Sequence, residues 1–218
     1  MPLLFKIISY YIPLLLSITV HEFSHGWASY KLGDDTAYRM GRLTLNPLAH
    51  IDIIGTVIMP IMGIMTGLPF FGWAKPVPFN PLFFHNKISM RRGIMLTALA
   101  GPLSNLVFAI LMMLSGKFLL TFVSNTDSGI FRGLFLLIVN TMQVNIGLFL
   151  FNLLPVPPLD GSKILYGIIP QSKMYVIEFL EKYSFFLFIG IILFAGDIIG
   201  PAFLGMTRFF FSLMGIYL

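Results

Sequence analysis

Val20-His21-Glu22-Phe23-Ser24-His25-Gly26 lies in the second half of an apolar run covering residues 3–30. His21 and His25 are four positions apart, so on a helix they lie one above the other on the same face. Two imidazoles at that spacing can grip one zinc ion, and Glu22 can reach a water at the ion's open position. A His-Glu-x-x-His pattern is ordinarily met on a soluble helix. Here its surroundings are hydrocarbon-like, so the reading of this stretch fixes both the fold class and the chemistry.

The whole chain agrees with a membrane setting. Of its 218 residues 57% are hydrophobic and 11% charged, with 23 Phe and 13 Met. A soluble domain carries about a quarter charged residues. The sequence therefore predicts an all-α polytopic membrane protein, a bundle of about four to six transmembrane helices. It reads as one integral membrane domain over residues 1–218, with a core at about 3–165 and C-terminal helices at about 175–218. The chain has no cysteine, which excludes thiolate ligands and disulfides, so any zinc is held by His, Asp or Glu. The net charge of +5 is spread over loops flanking apolar runs. It reads as an orientation signal and as contact with the lipid bilayer, not as nucleic-acid binding.

Taken in order, residues 31–52 are polar, and 53–71 are apolar but broken by Gly55, Pro60, Gly63, Gly67 and Pro69. Lys31, Arg39 and Arg42 precede that segment, and Lys75, Lys87, Arg91 and Arg92 follow it. Both flanks then belong on the cytoplasmic side, which predicts a re-entrant or extended hairpin at residues 53–81. Residues 93–123 and 133–154 read as spans, the second with Asn140, Asn145 and Asn152 at membrane depth. Residues 183–218 read as one long span or two helices.

The proline run Pro155, Pro157 and Pro158 ends the 133–154 span just before Asp160. Loops 31–52, 73–92 and 155–182 hold ten of the 14 Lys and Arg, which places the N-terminus outside. His21, His25 and Asp160 then approach the cytoplasmic face at one depth. Asp160 is the best third ligand, although Asp in Leu-Asp-Gly is equally at home in a turn. Two imidazoles and one carboxylate leave a fourth position for water, with Glu22 as general base. A peptide must be extended to be attacked. The stretch 73–79, with prolines at alternate positions and with Trp73 and Val77 in it, can offer an edge to one. Asn152 and the unwound backbone from Pro155 can hold its other side, though Asn152 serves equally well as a tie between helices. Asn105, Asn140 and Asn145 read as helix ties or as supports for the ligands. His50 and His85, in polar loops, read as surface or interfacial.

In combination these segments resemble the site-2 protease family of intramembrane zinc metalloproteases. The resemblance rests on His21-Glu22-Phe23-Ser24-His25 and on Asn152-Leu153-Leu154-Pro155-Val156-Pro157-Pro158-Leu159-Asp160-Gly161. Residues 41–52, Gly72-Trp73-Ala74-Lys75-Pro76-Val77-Pro78 and Ala100-Gly101-Pro102-Leu103-Ser104-Asn105 look like its compact bacterial branch, without PDZ or CBS domain. The resemblance implies one zinc per chain on His21, His25 and Asp160, Glu22 as catalytic base, and Asn152 as a substrate-positioning residue. It implies cleavage of a membrane-protein substrate within or beside a transmembrane segment, in the bacterial cytoplasmic membrane, with the active site toward the cytoplasm. Two other classes fit a polar group in an apolar chain: a metal-ion transporter, and a non-catalytic membrane-binding protein. Transport alone has no need for Glu22 beside the ligand pair.

Overall fold

The computed structural model describes residues 3–66, 73–122 and 129–217. Its helices are α1 (Leu3–Lys31), α2 (Thr36–Arg39), α3 (Met59–Thr66), α4 (Met90–Phe122), α5 (Gly129–Asn152), α6 (Asp160–Ile168), α7 (Tyr175–Lys182) and α8 (Ser184–Met214). No strand occurs among the described residues, and the protein is an all-α membrane protein. Residues 90–121 and α5 are long and apolar enough to cross a membrane, as is α8 if its bent halves form one span. The two halves of α8 meet at 56°, with Phe194 at the break in a non-helical conformation. Helix α1 matches these in length at 29 residues but carries the polar motif in its second half.

Lipid tails are as apolar as the helices, so packing and interhelical hydrogen bonds must hold the bundle together. Met142 and Ile146 of α5 meet Ala109 and Met113 of α4 and Phe210, Phe211 and Met214 of α8 in one buried cluster. The α1 face is held differently. Pro13 has no N–H to give Ser9 one turn earlier, and Asn140 of α5 donates to that carbonyl instead at 2.8 Å. Asn145 donates to the Ser17 hydroxyl at 2.8 Å. Asn140 and Asn145 are the interhelical ties that their place at membrane depth suggested.

The 53–81 segment doubles back. A π-turn over Ile53–Ile58 runs into α3, and these 14 residues rise about 21 Å, short of the roughly 30 Å hydrocarbon core. Asp52 caps the entry, accepting from the N–H groups of Ile54 and Gly55. The chain then returns beside its own start: Trp73 N–H donates to Gly55 O at 3.3 Å and Lys75 N–H to His50 O at 3.0 Å. The Thr56 hydroxyl donates to Trp73 O at 2.8 Å. Gly55 has to be glycine, because a Cβ there would run into the Trp73 indole. Residues 67–72, part of the expected hairpin, lie outside the described residues, as does most of the polar loop expected after α4.

Residues 73–80 are extended, without helix or strand partner of regular type. Arg42 donates to Lys75 O at 2.7 Å and to Pro76 O at 3.3 Å. His50 differs from expectation. It is fully buried, and Nε2 donates to Thr44 O at 2.8 Å. Leu45 and Leu48 turn outward in its place, and its own backbone carbonyl receives the returning chain. His85 is exposed, as expected.

Candidate metal centre

Three elements bring the site together. The four-residue spacing on α1 stacks His21 over His25, with ring centroids 4.6 Å apart and planes near perpendicular at 86°. After α5 the chain breaks through the proline run, and α6 starts at Asp160. Gly161 lets α6 seat directly on the backbone at the end of α5, since a Cβ would collide with the carbonyl oxygens of Leu153 and Leu154. Helix α1 packs against both α4 and α5, as a shared site requires.

The outcome is a triangle of ligand atoms. His21 Nε2 and His25 Nε2 are 3.0 Å apart, and each is 3.1 Å from Asp160 Oδ2. Atoms held about 2.0–2.1 Å from one tetrahedral ion stand roughly 3.3–3.4 Å apart, so the triangle is close to zinc-sized. Tautomers sharpen the test. Thr97 O can only accept, so His25 Nδ1, at 2.7 Å, carries the proton. Asn105 Nδ2 is committed to Ser17 O and Asn145 Oδ1, which turns its Oδ1 to His21 Nδ1 at 2.6 Å. In the neutral imidazoles both Nε2 atoms therefore present lone pairs to the carboxylate and to each other. Three acceptors converging in a buried site repel one another unless a cation lies between them, and the donor set is the one zinc takes.

Around the triangle is a cavity of about 720 Å³. Glu22, Asn152, Trp73, Ala74, Val77 and Lys163 are among its lining residues. Glu22 Oε2 accepts the N–H of Val77 at 2.8 Å, which aims the carboxylate and ties the extended segment to α1. Val77 has its seat at Gly26, whose missing Cβ would stand 3.0 Å from Val77 Cγ1. Asn152 lines the cavity while its amide nitrogen donates to Leu148 O, one turn back in its own helix, at 3.0 Å. Pro155 is not in the lining. The turn after α5 exposes it, and Pro158 lines the cavity in its place.

Asn105 is the ligand support that the sequence offered as one of its readings, and Gly101, which the sequence showed only as part of a motif, also has structural work here. Asn105 fixes the ring of His21, and Gly101 gives both ligand rings room on α4. A Cβ at Gly101 would collide with the His25 imidazole and stand 2.7 Å from His21 Cε1. In a helix interior Gly→Ala ordinarily stabilises by about 0.5–1 kcal/mol. Gly101→Ala is expected to do the opposite: to push the rings off the triangle and strip most of the bound metal, measured as zinc per chain after dialysis. Unchanged zinc content would show that α4 does not set the ligand positions.

The chain is 39% identical over 182 residues to the "Putative zinc metalloprotease YwhC" of Bacillus subtilis (strain 168), a match covering 82% of this chain and 77% of that protein. It is 26% identical over 200 residues to the "Putative zinc metalloprotease Rip2" of Mycolicibacterium smegmatis (strain ATCC 700084 / mc(2)155), covering 92% and 69%. Rip2 of Mycobacterium tuberculosis (strain ATCC 35801 / TMC 107 / Erdman) is 23% identical over 202 residues, covering 93% and 72%. No protein-family model matches the chain, and no solved structure matches it significantly. Fold, donor set and relatives together define a membrane-embedded zinc metalloprotease. Within that class, the chain belongs to the site-2 protease-like family.

Proposed function

We propose that the protein is an intramembrane endopeptidase of the site-2 protease type, which hydrolyses a peptide bond within or next to a transmembrane segment of a membrane-protein substrate. The observation that carries this is the position of Glu22. Its carboxylate lies in the same cavity as the His21–His25–Asp160 triangle, and the extended segment 73–80 forms one wall of that cavity. A zinc ion bound by the three ligands supplies Lewis-acid polarisation of water and of the scissile carbonyl. Glu22 Oε2 is held by Val77 N–H, which leaves Oε1 to take a proton from the attacking water. The same carboxyl then gives that proton to the departing amide nitrogen as the C–N bond breaks. One water is consumed, and a new carboxylate and a new amine are formed.

The substrate's route follows from the backbone. Pro76 and Pro78 keep the chain extended, and the Ala74 N–H has no hydrogen-bond partner among the described residues. An extended peptide can add to this edge, opposite Asn152 and Pro158. The proposal is tested by incubating purified protein in nanodiscs with a panel of single-span substrates and mapping the products by mass. Cuts within or adjacent to the hydrophobic stretch, abolished by a zinc chelator, are expected. Cuts confined to soluble regions far from the membrane would overturn it.

We place the site, as part of the same proposal, on the cytoplasmic side of the bacterial cytoplasmic membrane. Single cysteines at Ala49 and Lys87, on opposite flanks of the hairpin in a chain without native cysteine, are both expected to react with an impermeant thiol reagent only from that side. Labelling of one from each side would make 53–81 a full crossing.

A further inference from the structure

The extended segment 73–80 is held to α1 and the turn after it by two carboxylates. Val77 N–H donates to Glu22, and three residues on Asn80 N–H donates to Asp34 Oδ2 at 2.7 Å. Glu22 is absorbed by the chemistry, but Asp34 has no part in it. It is completely buried, and no cation pairs with it among the described residues. Its charge is instead met by donors: the Ser29 hydroxyl at 2.7 Å, the Thr36 N–H at 3.0 Å and the Thr36 hydroxyl.

A buried carboxylate is costly unless fully hydrogen-bonded, and the local backbone is shaped to provide those bonds. Gly33, at φ +111°, turns the chain so that Asp34 comes back against the end of α1, with its N–H on Ser29 O at 3.1 Å. Burial alone would raise the Asp34 carboxyl, but the hydrogen bonds from Thr36, Asn80 and Ser29 outweigh it and hold the group below the usual carboxylate range. It is a carboxylate at neutral pH.

Few groups in 76–80 can anchor it. Pro76 and Pro78 have no N–H, so Val77, Phe79 and Asn80 are the segment's backbone donors, and two of these three go to Glu22 and Asp34. We propose that Asp34 is a positioning residue: by holding Asn80 N–H it fixes where 73–80 lies along α1, and with it the Val77–Glu22 bond and the edge that a peptide meets. The proposal rests on the peptidase reading of the site. Without Asp34 the C-terminal anchor of the edge is gone, so substrate binding suffers more than the chemical step.

The test compares the zinc-loaded full chain with its Asp34→Asn variant by hydrogen exchange, zinc content and kinetics on a single-span substrate. Losing a hydrogen bond to a charged group is expected to speed exchange in 73–80 about tenfold or more, with α4 and α5 unchanged. Zinc content stays at the wild-type level, and KM rises by a larger factor than kcat falls. Unchanged exchange in 73–80, a uniform rise through all helices, or a loss confined to kcat would each overturn the proposal. If Asp34→Asn does not accumulate, Thr36→Val removes one hydroxyl donor from the same carboxylate. About a threefold rise confined to 73–80 and the 33–36 turn is then expected, and none would overturn it. Exchange needs no cleavage, so a wild type that cuts nothing defeats the peptidase reading while the clamp is still judged by exchange.

Discussion

Glu22→Gln is expected to lower cleavage by about 10²–10⁴-fold while leaving zinc bound and the fold intact. The amide has the size and shape of the carboxylate, and its oxygen can still accept Val77 N–H, now 2.8 Å from Glu22 Oε2. The extended segment therefore stays where it is. The three ligand atoms belong to other residues, so metal content is untouched. What is lost is the capacity to take a proton from water and return it to the leaving nitrogen. Initial rates on a single-span substrate, with zinc measured on the same preparation, separate these effects. Cleavage within a factor of about three of wild type would remove Glu22 as the base, because general acid–base catalysis typically contributes about 10²–10⁴-fold. Loss of zinc together with activity would instead show that Glu22 supports the ligand set.

The ligand set was legible in the sequence because each part is a local signal. The spacing of His21 and His25 is a helix repeat, and the proline run before Asp160 breaks a helix wherever it stands. The loop charges then put both ends at one depth, and depth brought them together without knowledge of the packing. The hairpin at 53–81 was legible for a similar reason, since its glycines, prolines and flanking cations all speak against a crossing. What was hidden depends on contacts between residues distant in the chain. Nothing near Val77 announces that its N–H caps Glu22, 55 positions earlier, and nothing near Asn80 points to Asp34. His50 was misplaced by the polar character of its loop, which says nothing of the returning chain whose Lys75 N–H its carbonyl receives. Pro155 was expected at the cavity because it opens the break. A break of several residues turns, however, and Pro158 is the one brought to the lining. Asn152 stood between two readings: the structure places it at the cavity wall, and its amide nitrogen is bonded within α5 and not to a neighbouring helix.

His25→Ala is expected to take the protein from about one zinc per chain to nearly none after dialysis, and to abolish cleavage with it. The argument runs through the triangle. Its three atoms lie within 3.0–3.1 Å of each other, so each is a vertex and none is a spectator. Removing one leaves a single imidazole and a single carboxylate, a pair that water displaces readily. Binding to a four-ligand structural site is worth roughly 10–16 kcal/mol, on the order of 3–4 kcal/mol per ligand, so one lost vertex weakens affinity by on the order of 10²–10³-fold. Asp160→Asn should act in the same direction by removing the only negative charge among the three. Asn105→Ala should have a smaller effect, since it frees the His21 ring without deleting it. The order of zinc loss is thus His25→Ala and Asp160→Asn first, Asn105→Ala after. A His21→Ala, His25→Ala double variant that still binds a full equivalent would place the metal elsewhere in the chain, whatever the distances in this cavity.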